Sequence, residues 1–339
     1  MAKSTRLTHR LPERKSMRKP GHITIAIATA LTCTLSAGAS LAQQFPNKPL
    51  RIIVPSSPGV STDLVPRSIS PTLAKVLGQP VVVENKPGAG MSLAFEHVAK
   101  QSAPDGYTIA LVSVSDLVLY PLLNKEVRFD ALKDLPPFVD ICDGPLILNS
   151  ASPHPWKSFP EMVSYARANP GKLNYGASTP TTRLPMVMLF KELGINAVYI
   201  PYSGGGPYIQ GVVSGEVHLG LTLEGTVTQY KDKLIPLAIV GSKRRPTLPN
   251  TPSLAELGHP GVVGGITFSF NLPAGTPRPI VDRLNAATNQ ALQSAEVKEL
   301  IAKLNYDIVG GTQESAAKRL ADSARAYADA AKSAGISPN

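Results

Sequence analysis

Apolar positions along this chain follow two periods that take turns. The runs LRIIV (50–54), PVVVEN (80–85) and YTIALVSV (107–114) are β-branched or continuously apolar, as expected of strands covered on both faces. Between them apolar residues recur at spacings of three and four, at Val65, Ile69, Leu73, Val76 and Leu77 and again at Phe95, Val98 and Ala99, which predicts helices. The pattern restarts at GPLILNS (144–150) and continues with a helix over 161–168, a helix around 186–193, and strands at LNYGAS, AVYIPYS, VHLGLTL and LIPLAIVGS. A Pro-rich passage after Gly241 leads to the strand GITFSFNLP, two helices over 278–304 and an Ala-rich helix with Leu320, Ala324, Tyr327 and Ala331 on one stripe. Strand and helix alternating in two blocks imply an α/β fold with two units, each a doubly wound, mostly parallel sheet. Pro66 and Pro71 fall inside the first helical period, so a bend or interruption is expected at Pro71.

Ahead of this pattern stands a segment of another kind. Arg18 and Lys19 precede the uncharged stretch ITIAIATALTCTLSAGASLA, which ends in small residues, the order of a secretory signal. Cleavage after Ala42 would leave 297 of the 339 residues, and two domains are the natural expectation at that length. Residues 1–42 carry seven of the 34 basic side chains and one of the 24 acidic ones, so the formal charge of +10 falls to +4 without them. A nucleic-acid partner is not indicated. Of the two cysteines only Cys142 remains, so the exported chain has no internal disulfide and must be held by core burial.

Several loops share one design. PSSPGVSTD and NKPGAGMS each follow a strand and open a helix, GASTPTTRLP does the same in the second block, and YSGGGPYIQG is a fourth. In doubly wound folds ligands sit beyond the C-terminal ends of the strands, where free N–H groups and the positive end of a helix dipole favour an anion. Glycines at Gly59, Gly88 and Gly90 let backbone approach a ligand.

In order and spacing, PNKPLRIIVPSSPGVSTDLVPR, LGQPVVVENKPGAG, APDGYT, ANPGKLNYG, VYIPYSGGGP and NLPAGTPRPIVDRLN resemble the Bug/TctC family of extracytoplasmic solute receptors, similar to the binding subunits of tripartite tricarboxylate transporters. The resemblance implies a two-domain periplasmic-binding-protein fold, type II-like and of the Venus-flytrap kind, with the ligand cleft between domains. On this chain it implies a signal peptide at 1–42, a first domain from 43–145 and 240–339, and a second from 146–239. It further implies a small organic carboxylate held by Ser57, Gly59, Ser61, Thr62, Asp63, Lys86, Gly88, Ala89 and Gly90 from the first domain. From the second come Ala177, Ser178, Thr181, Thr182, Tyr202, Ser203 and Gly204 with the rest of that loop to Gly206, and Arg183 beside them is a candidate from its own chemistry. The expected partners are membrane permease subunits of a tripartite transporter, and the chain is expected to act as a monomer in the periplasm. A membrane sensor that reads the closed form is the alternative partner.

This chain departs from the family pattern at the residues that would choose the ligand. The second glycine of the first loop is Val60, the second-domain loop lacks the usual histidine, and His218 stands where an acidic residue is common, which leaves Thr222 or Glu224 near the second acidic position. Arg183 either clamps a second carboxylate in bidentate fashion or reaches solvent or a nearby Asp. Asp63 reads as a helix cap before a ligand group, His218 as a core residue, and Tyr202 as a ligand neighbour or a packing residue. There is no nucleophile elbow, no His-Glu-x-x-His, no phosphate-binding lysine loop and no dinucleotide fingerprint, and the histidines have no metal-ligand spacing. Neither catalysis nor a metal or cofactor is expected. The pattern reads as a binder.

Overall fold

A computed structural model describes residues 45–88, 91–123, 127, 129–262 and 264–335 of the chain, so the segment read as an export signal lies outside it. Two sheets organise the fold. The first contains β1 (Leu50–Val54), β2 (Val81–Asn85), β3 (Thr108–Ser113), β4 (Pro137–Gly144), β10 (Ile266–Asn271) and β11 (Asp307–Gly310), in the order β11-β4-β10-β3-β1-β2. The second contains β5 (Leu146–Ala151), β6 (Asn174–Ala177), β7 (Val198–Pro201), β8 (Leu219–Leu223) and β9 (Leu234–Val240), in the order β7-β6-β8-β5-β9. The chain therefore passes from the first sheet to the second at Pro145 and returns between Val240 and Ile266.

In each sheet the directly paired parallel neighbours lie on one side. β2, β1 and β3 run together, as do β7, β6 and β8, but β10 is antiparallel to β3 and to β4, and β5 is antiparallel to β8 and to β9. Four of the six strands of the first sheet and four of the five of the second still run the same way, so the sheets are mostly parallel in strand direction, with β10, β11 and β5 reversed. The reason is mechanical: β5 and β10 carry the chain away from the junction of the two sheets, so each runs against the strands that point toward it.

Ten helices cover the sheets among the described residues: α1 (Ser61–Leu77), α2 (Ser92–Gln101), α3 (Val114–Leu123), α4 (Phe159–Ala168), α5 (Pro180–Leu193), α6 (Gly205–Ser214), α7 (Glu224–Gln229), α8 (Arg278–Leu292), α9 (Ala295–Lys303) and α10 (Gln313–Ala334). The predicted apolar stripe of α1 is buried at Val65, Ile69, Leu73 and Leu77, and the helix continues without interruption through Pro66 and Pro71. Burial of that stripe outweighs the backbone hydrogen bonds the two prolines cannot make. The second sheet packs around Trp156, Phe159, Met162, Tyr175, Met186 and Phe190. The first packs helices α2 and α3 with Leu320 of α10, whose far end reaches Leu184 of α5 in the second half. None of the helices searched is long and apolar enough to cross a membrane.

Candidate functional site

Six strands, β1, β2, β3, β6, β7 and β8, end at the junction of the sheets, and each is followed by a helix. The loops between them enclose a cavity of about 420 Å³. Its wall takes Ser56, Ser57, Val60 and Thr62 from the start of α1, Gly88 and Met91 before α2, Ser113 and Asp116 at α3, Ser178, Thr179 and Thr182 at α5, and Ser203 to Gly206 at α6. Thr222 and Thr226 flank α7, and Leu146, Leu221, Ile266 and Phe268 form the floor.

The helix starts at this wall fall into two kinds. Thr179 caps α5 in a reciprocal box with Thr182, and Ser113 Oγ accepts the Asp116 N–H at 3.4 Å in α3. By contrast the three longer helices α1, α2 and α6 begin at Val60, Met91 and Gly204 with no side-chain cap, as does the six-residue α7 at Leu223. The first N–H groups of a helix have no partner within it, so these three starts present donors and partial positive charge to the cavity.

Two carboxyls organise the site. Asp63, buried in the first turn of α1, accepts the Gly59 N–H at 2.9 Å, Arg67 Nε at 2.9 Å and Asn85 Nδ2 at 2.8 Å. Burial pushes its acidity down, yet hydrogen bonds from Arg67, Gly59 and Asn85 outweigh that and hold its carboxyl below the usual range. It fastens the loop, with Gly59 at φ 85, and is neither the helix cap nor part of the wall. Asp116 is fully buried and lines the cavity, where Thr181 Oγ1 of the second half donates to its Oδ1 at 2.5 Å. Burial pushes the Asp116 carboxyl up, opposed by hydrogen bonds from Thr181, Ser113 and Thr179.

Of the residues singled out by sequence, Ser57, Thr62, Gly88, Ser178, Thr182, Ser203 and Gly204 line the cavity together. Gly88 has φ 132, and a Cβ there would lie 2.7 Å from Leu93 Cδ1, so this close turn requires glycine. Thr181 lies behind the wall on Asp116. Arg183 is partly exposed and does not line the cavity: its guanidinium lies 4.5 Å from the centre of the Tyr199 ring. Tyr202 packs on Tyr208, with ring centres 5.8 Å apart, and is a packing residue; Tyr208 itself reaches the wall. Thr222 faces the cavity, whereas Glu224 turns to Arg245 at 2.8 Å and to Thr247. His218 packs with His154 and Trp156, outside the wall. Ala89, Gly90 and the side chain of Ser61 lie outside what the structure describes. Sequence reading missed Asp116, Ser113 and Met91; only a helix start beginning Ser-Val-Ser-Asp after a strand could have marked the first two.

With this geometry in place, similarity to known proteins can be assessed. A family model described as "Tripartite tricarboxylate transporter family receptor" matches residues 65–334. A Cupriavidus necator protein described as "UPF0065 protein in gbd 5'region" is 35% identical over 287 residues, 84% of this chain and 86% of its own. The solved structure titled "Structure of periplasmic binding protein BugD" superposes with a TM-score of 0.80 at 28% identity, covering 87% of this chain and 100% of that one. Another, "R. palustris Rpa4515 with adipate", gives a TM-score of 0.82 at 28% identity with the same coverage.

Proposed function

The chain belongs to the tripartite tricarboxylate transporter receptor family, and from that premise we propose that it is a periplasmic receptor for a small organic carboxylate, which it delivers to the membrane permease subunits of a tripartite transporter. The observation that carries this reading is the convergence of three uncapped helix starts, α1, α2 and α6, on one cavity. A carboxylate placed there completes hydrogen bonds that no side chain supplies. The relative whose title includes adipate supports the ligand class.

The magnitudes fit a receptor. Hydrogen bonds to a charged group contribute about 1.5 to 3 kcal/mol each, and association costs on the order of 4 to 15 kcal/mol. A few such bonds plus apolar contact reach about −8 kcal/mol, micromolar affinity. Because α1 and α2 belong to the first sheet and α6 to the second, a ligand on all three binds the closed arrangement better than an open one. That difference is what shifts the population toward closure.

Thermal-shift screening of organic acids tests the proposal, with Val60→Asp as the control. Val60 has φ −85 and ψ 161, suited to a capping residue, so the variant supplies α1 with its own carboxylate. Acids that stabilise the native chain but leave this variant unmoved support the site. Equal stabilisation of both places the ligand elsewhere.

A further inference from the structure

The cavity wall has an unusual charge inventory for an anion site. Among its described residues there is no Lys, Arg or His, and one charged side chain, Asp116. The arginine best placed to balance a second negative charge, Arg183, is held over the Tyr199 ring. Lys86, next to Gly88, is exposed and does not reach the wall. The wall also has apolar members: Val60 and Met91 at two of the open helix starts, Ile209 of α6, and Leu146, Leu221 and Phe268 from the sheets.

Every group that touches the Asp116 carboxyl donates to it. Thr181 Oγ1 does so at 2.5 Å, and the Thr181 backbone, Ser113 and Thr179 add hydrogen bonds. The start of α5 is thus already occupied, by its own cap and by a carboxyl of the protein. The open starts of α1, α2 and α6 and of the six-residue α7 remain, and no cation of the wall accompanies any of them. A second carboxylate on the same small molecule would meet apolar carbon, neutral hydroxyls or Asp116, with no cation of the wall to balance its charge, and burying a charge so is unfavourable.

We propose that the cavity selects a monocarboxylic acid with an apolar aliphatic or aromatic body, and that Asp116 is the residue that makes it reject a second carboxylate. The inference rests on the reading above that a carboxylate occupies this cavity.

Matched pairs test it by titration calorimetry at pH 7.5 on the full exported chain: hexanoate against adipate, and 4-methylbenzoate against terephthalate. In at least one pair the monoacid binds about tenfold or more tightly than its diacid. In Asp116→Asn, which keeps the shape and loses the charge, that ratio falls at least about threefold; a merely structural loss at Asp116 would weaken both members equally and leave the ratio unmoved. Diacids binding as tightly as the monoacids overturn the inference, as does a ratio unchanged in the variant or no binding of either monoacid at millimolar concentration. Hexanamide and 4-methylbenzamide separate the two levels. If the neutral amides bind as well as the acids, the carboxylate reading itself fails; if the amides do not bind and the diacids win, only the selectivity falls.

Discussion

Helices on the outer faces of this protein and the helices α1, α2 and α6 at its cavity begin differently. Away from the cavity, Ser158 caps α4, Ser294 caps α9 and Thr312 caps α10, each accepting a backbone N–H at 3.4, 3.2 and 3.2 Å. The fourth outer helix, α8, lacks a side-chain cap but carries Pro279 in its first turn, which removes one of the donors that would need a partner. At the cavity, α1 and α2 have neither remedy, and α6 has no side-chain cap although Pro207 stands in its first turn. The same chain that spends hydroxyls on ordinary helix starts leaves these without one, and under the proposed function the comparison separates residues kept for stability from residues kept for a ligand.

The comparison breaks most sharply if a cavity helix is given a cap. Gly204 has an extended backbone, φ 177, and a Cβ there meets nothing within 4 Å. Gly204→Asp therefore fits, and is expected to weaken organic-acid binding by about 100-fold or more by placing a carboxylate where the ligand's belongs. The melting temperature is expected to hold or rise, since α6 gains a cap. Calorimetric titration beside a thermal melt reads both. A binding loss accompanied by a lower melting temperature counts against the distinction.

Asp63→Ala comes next, because Asp63 serves both purposes. It frees the Gly59 N–H, Arg67 and Asn85 together, so chemical denaturation is expected to show a loss of about 1 to 3 kcal/mol, with affinity falling roughly tenfold as the first loop loosens. The sign with pH follows from a carboxyl held below its usual range. Its contribution is present above the unfolded carboxylate value near 3.9 and is lost as pH falls through the lower folded value. The native chain is therefore expected to shed this stability in acid, and Asp63→Ala to show a flatter profile there.

Ser294→Ala removes an outer cap. About 1 kcal/mol of stability should go, a few degrees of melting temperature in a chain of this size, with ligand affinity unchanged. Smallest is a histidine effect away from the wall. His154 and His218 lie 4.7 Å apart by ring centres, and burial lowers both, with His154 lowered further by His218 and Lys157. Neutral rings fit the folded chain, so their contribution is complete above the unfolded value near 6.5 and declines as pH falls toward the folded values. Melting curves between pH 7.5 and 5 should fall in the native chain and flatten in His154→Gln, again without a change in affinity for a given acid.

Much of the architecture was legible in periodicity. All three opening strands were read within a residue or two, because continuous apolar runs bounded by turns leave few alternatives. β4 was not read, since Asp140 and Asp143 interrupt its apolar run; in the structure Arg319 of α10 reaches Asp140 at 2.8 Å, a partner 179 residues away that no local pattern reveals. α3 was missed because VSDLVLYPLL is apolar on nearly every side and contains Pro121, so it has no helical stripe; it is wedged against α10 and α5. With α3 went Asp116, the one charged group at the cavity wall among the described residues. The loops themselves were legible, through Pro-Gly turns that open helices. Which way Arg183 points was not, because the Tyr199 ring that holds it comes from the next strand of the sheet.

The most direct test is a crystal structure of the exported chain with whichever organic acid gives the largest thermal shift. The ligand carboxylate is expected within about 2.7 to 3.1 Å of main-chain nitrogens at the starts of α1, α2 and α6, with its carbon body toward Leu221 and Phe268. A carboxylate paired instead with a lysine or arginine side chain, or bound outside this cavity, would contradict the account.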